Sequence, residues 1–168
     1  AGDARRAEIV TSLLTLPQQR AGVLAELSDT LTNASTSDSA RTALLVVLGE
    51  AGGQDVTDLL IATFAATKSS AAFDQLVRRN DSALALVAAL RTGRVAAADL
   101  GPANASRLRT HPNRRVAREA ADVLAKANPD KLTYASSGAL GAPHLAGELL
   151  NLLAKVKTVH IPYKGNGP

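Results

Sequence analysis

Residues 80–125 read NDSALALVAALRTGRVAAADLGPANASRLRTHPNRRVAREAADVLA, and their period decides the fold class. Asp81 is expected to cap a helix with Leu84, Val87 and Leu90 on one face, and Gly93 ends the run. A short helix is predicted from about Pro102 to Thr110. Another begins after Pro112 and turns Val116, Ala120, Val123 and Leu124 to one side.

The same grammar extends towards the N-terminus. Asp3 caps a helix through Leu16, with Ile9, Leu13 and Leu16 on one face. Pro17 starts a second, with Val23, Leu24, Leu27 and Leu31 inward. A polar loop over residues 33–39 precedes a third helix, capped by Ser37 or Asp38, that carries Leu44, Leu45 and Leu48 and stops at Gly52-Gly53. Asp55 opens a fourth, with Leu59, Leu60 and Phe64. Residues 70–79 form a fifth, with Phe73, Leu76 and Val77. Short helices of similar length, with short loops and no heptad, predict a mainly α chain of the HEAT or armadillo kind, an α-solenoid over residues 1–126, with a compact bundle as the alternative.

Composition narrows the function classes. The chain has 168 residues, enough for one domain or a domain with an appendage. It is 46% hydrophobic but 2% aromatic, so Ala, Leu and Val must build the core. With no cysteine, disulfides, thiolate catalysis and cysteine-ligated metals are excluded. No apolar run is long enough to span a membrane, and no signal-peptide pattern is present. No phosphate loop, nucleophile elbow, dinucleotide fingerprint or zinc spacing occurs, and no catalytic residue or cofactor is expected.

Basic residues are unevenly placed. All 13 Arg lie at or before Arg118, whereas five of the 6 Lys lie at or beyond Lys126. That shift marks a seam near residues 119–126 between segments of different usage. Nine Arg fall between Arg78 and Arg118 against Asp81 and Asp99. They read either as a footprint for nucleic acid or an acidic partner, or as solvated outer faces of helices; no aromatic residue is interleaved for base stacking. His111, before Pro112, reads as a turn residue that helps start the next helix rather than as a ligand.

Residues 127–168 differ in kind. Leu132–Ala135 is a short strand-like run, Ser136-Ser137-Gly138 breaks it, and from Pro143 the period becomes helical, with Leu145, Leu149, Leu152 and Leu153 on one face. Thr158–Ile161 is a second β-branched run. Strand, helix and strand predict a small βαβ appendage with parallel strands. The loop after its first strand aims backbone N–H groups and a positive helix end outward, so Ser136, Ser137 and Gly138 are candidate contacts for a carboxylate. A turn made simply by Gly and Ser is the alternative. His144 and Glu148, four apart, can meet on the helix, and His160 can converge with them. A Ser136–His144–Glu148 hydrolytic triad can be drawn from the sequence, with no geometry to support it.

AKANPDKLTYASSGALGAPHLAGELL followed by VHIPYKGNGP, within residues 125–168, resembles the receptors of tripartite tricarboxylate transporters, the Bug family of periplasmic solute-binding proteins. The YASSG loop, the HLAGEL helix start and the HIPYKG strand end carry the resemblance. It implies a non-catalytic, exported protein that captures a small carboxylate, with the ligand held by Ser136, Ser137, Gly138 and His144. Leu140 and Lys155 stand where that family usually has Gly, and Leu150 where it has an aromatic. The resemblance covers a short slice of a longer, two-lobed pattern, so ligand binding is expected to be weak. Residues 80–125 in turn resemble the end of the HEAT-like region of planctomycete-type membrane-bound dehydrogenases that carry a haem-binding domain. This implies a scaffold with a protein partner on the helical repeat; without cysteine, haem cannot be attached covalently. The two resemblances together imply a chimera.

Overall fold

The computed structural model describes residues 2–33, 35–127, 133–136, 141–154 and 158–162. The chain is mainly helical. Eight helices come first: α1 Gly2–Leu14, α2 Pro17–Thr32, α3 Asp38–Ala51, α4 Gln54–Thr67, α5 Ser70–Arg78, α6 Asn80–Arg91, α7 Ala97–Arg109 and α8 Arg114–Ala127. There follow β1 Thr133–Ser136, α9 Ala142–Ala154 and β2 Val159–Pro162.

Local chemistry sets the helix ends. Pro17 occupies the first turn of α2, where its missing N–H is no loss. Ser37 caps α3, its hydroxyl accepting from the Ala40 N–H at 3.3 Å. Asn113 caps α8, its Oδ1 accepting from the Arg115 and Val116 N–H groups at 2.9 and 3.3 Å. His111 secures the same turn: its Nδ1 accepts from the Asn113 N–H at 3.1 Å, which leaves Nε2 to donate to the Val77 carbonyl at 3.1 Å. The end of α5 is thereby tied to the start of α8.

The helices pack mainly on the next and next-but-one: α1 on α2 and α3, α2 on α3 and α4, α3 on α4 and α5, α4 on α5 and α6, α6 on α8. One continuous core results, from Leu14 to Leu124. At its centre Phe64 and Phe73, the only two Phe in the chain, are fully buried with ring centroids 5.9 Å apart and planes tilted by 49°. Burying each such side chain contributes about 2–3 kcal/mol. Leu31, Leu45, Leu48, Leu76 and Leu86 fill the space around them.

Several local expectations are corrected. In α1 the inward residues are Val10 and Leu14, while Ile9 and Leu16 are exposed. Both sets have helical spacing, and only the position of α3 selects between them. Asp81 does not cap α6; the helix begins at Asn80, and Asp81 lies in its first turn. Helix α7 begins five residues before Pro102, because Gly101 turns the chain with φ +67° and lets residues 97–100 form a turn of their own. A side chain there would meet the left-handed region at a cost of about 1–2 kcal/mol.

Strands β1 and β2 pair in parallel, with Thr133 opposite Val159, Tyr134 opposite His160, Ala135 opposite Ile161 and Ser136 opposite Pro162. Each begins one residue later than its sequence pattern suggested. Helix α9 presents His144, Gly147 and Asn151, not its leucines, as its more buried positions. Leu145, Leu149, Leu152 and Leu153 are exposed, Leu152 by 74%. Periodicity groups residues onto one face but does not say which face meets a neighbour.

Candidate functional site

Register places Tyr134 and His160 opposite each other, hence on the same side of the two-stranded ladder. Helix α9 crosses that side. Its His144 ring stacks on His160, centroids 4.2 Å apart and planes 19° from parallel; Tyr134 stacks on His160 at 5.0 Å. Three rings from three elements therefore form one triangular cluster, with the Tyr134 and His144 centroids 6.4 Å apart. The Tyr134 hydroxyl donates to Glu148 Oε1 at 2.9 Å, with the His144 carbonyl 3.3 Å away. Nε2 of His144 lies 3.8 Å from the same Glu148 oxygen. A methyl group at Gly147 would run into the Tyr134 ring, so glycine sets how closely α9 approaches β1. Beyond it, Thr158 Oγ1 donates to Asn151 Oδ1 at 2.8 Å.

Partial burial, then the hydrogen bond to Glu148 and its negative charge, raise the Tyr134 phenol above its ordinary range. Glu148 Oε1 is thus engaged by Tyr134 as well as by His144. Among the described residues no group of three or more His, Cys, Asp or Glu is placed to hold a metal ion.

Of the expected site residues, His144 lies in this cluster, and His160 converges with it. Ser136 ends β1. Ser137 and Gly138 lie outside the described residues. Helix α9 begins at Ala142, with the Gly141 carbonyl accepting from the His144 and Leu145 N–H groups at 2.9 and 3.1 Å. Sequence reasoning missed the roles of Tyr134, Gly147 and Asn151. The signal was their spacing: His144, Gly147 and Asn151 repeat at three and seven, the same helical face on which they now meet the strands.

Four of the nine arginines in the arginine-rich stretch are ion-paired. Arg91 and Arg115 both bond Glu119, at 3.0 and 2.9 Å, and hold its carboxyl below the usual range. Arg94 meets Asp58 at 3.4 Å. Arg107 bonds Asp74 at 2.6 Å while its guanidinium sits 5.1 Å above the Phe73 ring. Lys68 pairs with Asp99. Further back, Arg20 of α2 grips Asp55 of α4 through two hydrogen bonds, 2.5 and 2.9 Å. Apart from Arg115–Glu119, these pairs join residues 28 to 36 positions apart.

Residues 112–168 match the family described as tripartite tricarboxylate transporter family receptor. The chain is 55% identical over 42 residues to the UPF0065 protein in gbd 5'region of Cupriavidus necator, covering 25% of this chain and 13% of that protein. It is 46% identical over 44 residues to the UPF0065 protein in tcbD-tcbE intergenic region of Pseudomonas sp. strain P51, covering 26% and 13%. The chain thus spans about one eighth of the length of these curated relatives. No solved structure matches it. Among the described residues, no helix is long and apolar enough to cross a membrane.

Proposed function

We propose that residues 127–168, which lie within the matched stretch 112–168, are a segment of a carboxylate-binding receptor of the tripartite tricarboxylate transporter type. The family match over those residues carries the reading. The role is non-catalytic capture of a small carboxylate, and the location outside the cytoplasm. Contacts come from Ser136, Ser137, Gly138 and the His144 end of α9. Two features support that assignment. β1 ends at Ser136, and the positive end of α9 begins at Ala142, a few residues further along the chain. The Tyr134–His160–His144 cluster joins those two elements and β2.

Because the chain spans only 13% of its relatives' length, the ligand is held by a fraction of the receptor surface. Affinity is therefore in the millimolar range, about −4 kcal/mol. Titration of the ¹⁵N-labelled chain with succinate at constant ionic strength tests this. Saturable shifts at the amides of residues 136–144, lost in a Ser136→Ala, Ser137→Ala double variant, are expected. Shifts spread evenly over the chain, or none at these amides, would remove the reading.

For the N-terminal part we propose a helical repeat of the HEAT or armadillo kind that serves as a scaffold for a protein partner, with the domain boundary near residue 126. Helix-to-next-but-one packing and ion pairs set about one hairpin apart favour it. The resemblance of residues 80–125 to the dehydrogenase scaffold belongs to this reading, as does a chimeric origin. The acidic partners of Arg91, Arg94, Arg107 and Arg115 favour solvated, ion-paired faces over a nucleic-acid footprint.

A further inference from the structure

A cleft of about 290 Å³ opens where the turn between α3 and α4 faces α5 and the start of α6. Its size is at the small end of ligand pockets. It is lined by two opposite charges, Arg79 and Asp81. They stand only two residues apart, yet they do not pair with each other. Neither side chain forms an ion pair or hydrogen bond to any described residue. Arg109, Arg114 and Arg118 also make no ion pair among the described residues, but of these unpaired arginines Arg79 alone lines the cleft, beside Asp81.

The inner wall has matching polarity. Gln75 is 7% exposed; its Oε1 accepts from Arg78 at 3.0 Å, and its amide N–H groups have no partner among the described residues. The same amide lines the cleft and can donate to a group bound there. Ser82 donates to the Leu76 carbonyl at 2.8 Å and Thr57 to the Gly53 carbonyl at 2.9 Å. Each hydroxyl oxygen keeps lone pairs with which to accept. Gly53 and Gln54, at the positive end of α4, complete the rim. Donors of charge and hydrogen thus come from Arg79 and Gln75, acceptors from Asp81, Ser82 and Thr57.

We propose that this cleft binds a small zwitterion of the amino-acid class, its carboxylate on Arg79 and the Gln75 amide, its ammonium on Asp81 and the neighbouring hydroxyl oxygens. A ligand with only one of the two charges leaves the other side unmatched. The site lies in α3–α6, outside the family match, and is independent of the carboxylate contacts proposed around Ser136.

Titrating the ¹⁵N-labelled full chain with glycine, β-alanine, γ-aminobutyrate and ε-aminocaproate scans the separation between the two charges. Acetate and methylammonium are the single-charge controls. One chain length is expected to shift the amides of residues 49–57 and 75–82 saturably, and to bind about tenfold tighter than either control. Arg79→Gln and Asp81→Asn are each expected to reduce its affinity to the level of a control. Both side chains are exposed and make no hydrogen bond within the described residues, so these variants are expected to fold; far-UV circular dichroism checks it. Affinity that does not depend on charge separation, or that survives both substitutions, overturns the proposal. Shifts no larger than those of the controls identify a cleft filled by solvent and overturn it as well.

Discussion

Replacing Arg20 tests how the first four helices are held together. Its guanidinium, on α2, makes four bonds in three directions. It donates to both Asp55 oxygens, to the Leu14 carbonyl at 3.1 Å and to the Gly52 carbonyl at 2.6 Å. The two carbonyls lie at the C-terminal ends of α1 and α3, where a cation is favoured. Asp55 is 45% exposed along its side chain, so the ion pair itself is screened and contributes only about 0.5–1 kcal/mol. The two partly buried carbonyl bonds add about 0.5–1 kcal/mol each. Arg20→Ala should therefore cost about 2 kcal/mol, and Asp55→Asn about 1 kcal/mol or less. At about 3 °C per kcal/mol for a chain of this size, the melting temperature falls by about 6 °C and 3 °C or less. Paired urea and thermal melts of the two variants and the double variant measure these losses and the coupling between them. The pH dependence has a definite sign. Arg20 holds the folded Asp55 carboxyl below its ordinary range, so its contribution is complete above about pH 4 and is lost as the pH falls through the lower, folded value. If Arg20→Ala melts with the parent, or Asp55→Asn costs as much as Arg20→Ala, the carbonyl bonds do not carry the clamp and the reasoning fails.

Two other outcomes follow from the same kind of argument. In a Tyr163→Phe background, absorbance titration should place Tyr134 above the usual value near 10, and Glu148→Gln should bring it part of the way back, because partial burial is the larger cause. The stability linked to that phenol is complete below about pH 10 and is lost as it ionises; ordinary titration in the folded chain would contradict the stacked cluster. Phe73→Ala removes a fully buried ring that touches Phe64 and lies beneath Arg107, and should cost about 4 kcal/mol, about 12 °C. A loss under about 1 kcal/mol by calorimetry would mean that the two rings are not the centre of the core.

How far the sequence reaches can be judged residue by residue. The inward face of α8 (Val116, Ala120, Val123 and Leu124) was legible because those residues lack a competing apolar stripe and the helix is flanked by polar positions. α1 was not, because Ile9–Leu13–Leu16 and Val10–Leu14 are both helical stripes and the choice is made by α3, thirty residues away in the chain. α9 misled for a related reason. Leucine marks a face that favours burial, yet the contact with β1 and β2 is made by His144, Gly147 and Asn151, which carry no strong apolar signal. The convergence of His144 and His160 was visible as a possibility from strand–helix–strand order. The stack with Tyr134 was not, since it rests on a register that puts Tyr134 opposite His160. The cleft beside Arg79 is likewise invisible in sequence, because the unpaired state of two charges can be seen only when their neighbours are in place.

The cross-helix ion pairs have a consequence for how the chain is assembled. Arg20–Asp55, Arg94–Asp58, Arg107–Asp74 and Arg91–Glu119 each join an element to one about a hairpin further along. Packing of Ala and Leu alone is nearly interchangeable from one hairpin to the next, so a core this poor in aromatics does little to say which hairpin belongs beside which. The matched charges add a preference of their own. Each pair is partly exposed and contributes about 0.5–1 kcal/mol, so the rim charges bias which helices lie side by side while the buried core supplies most of the stability.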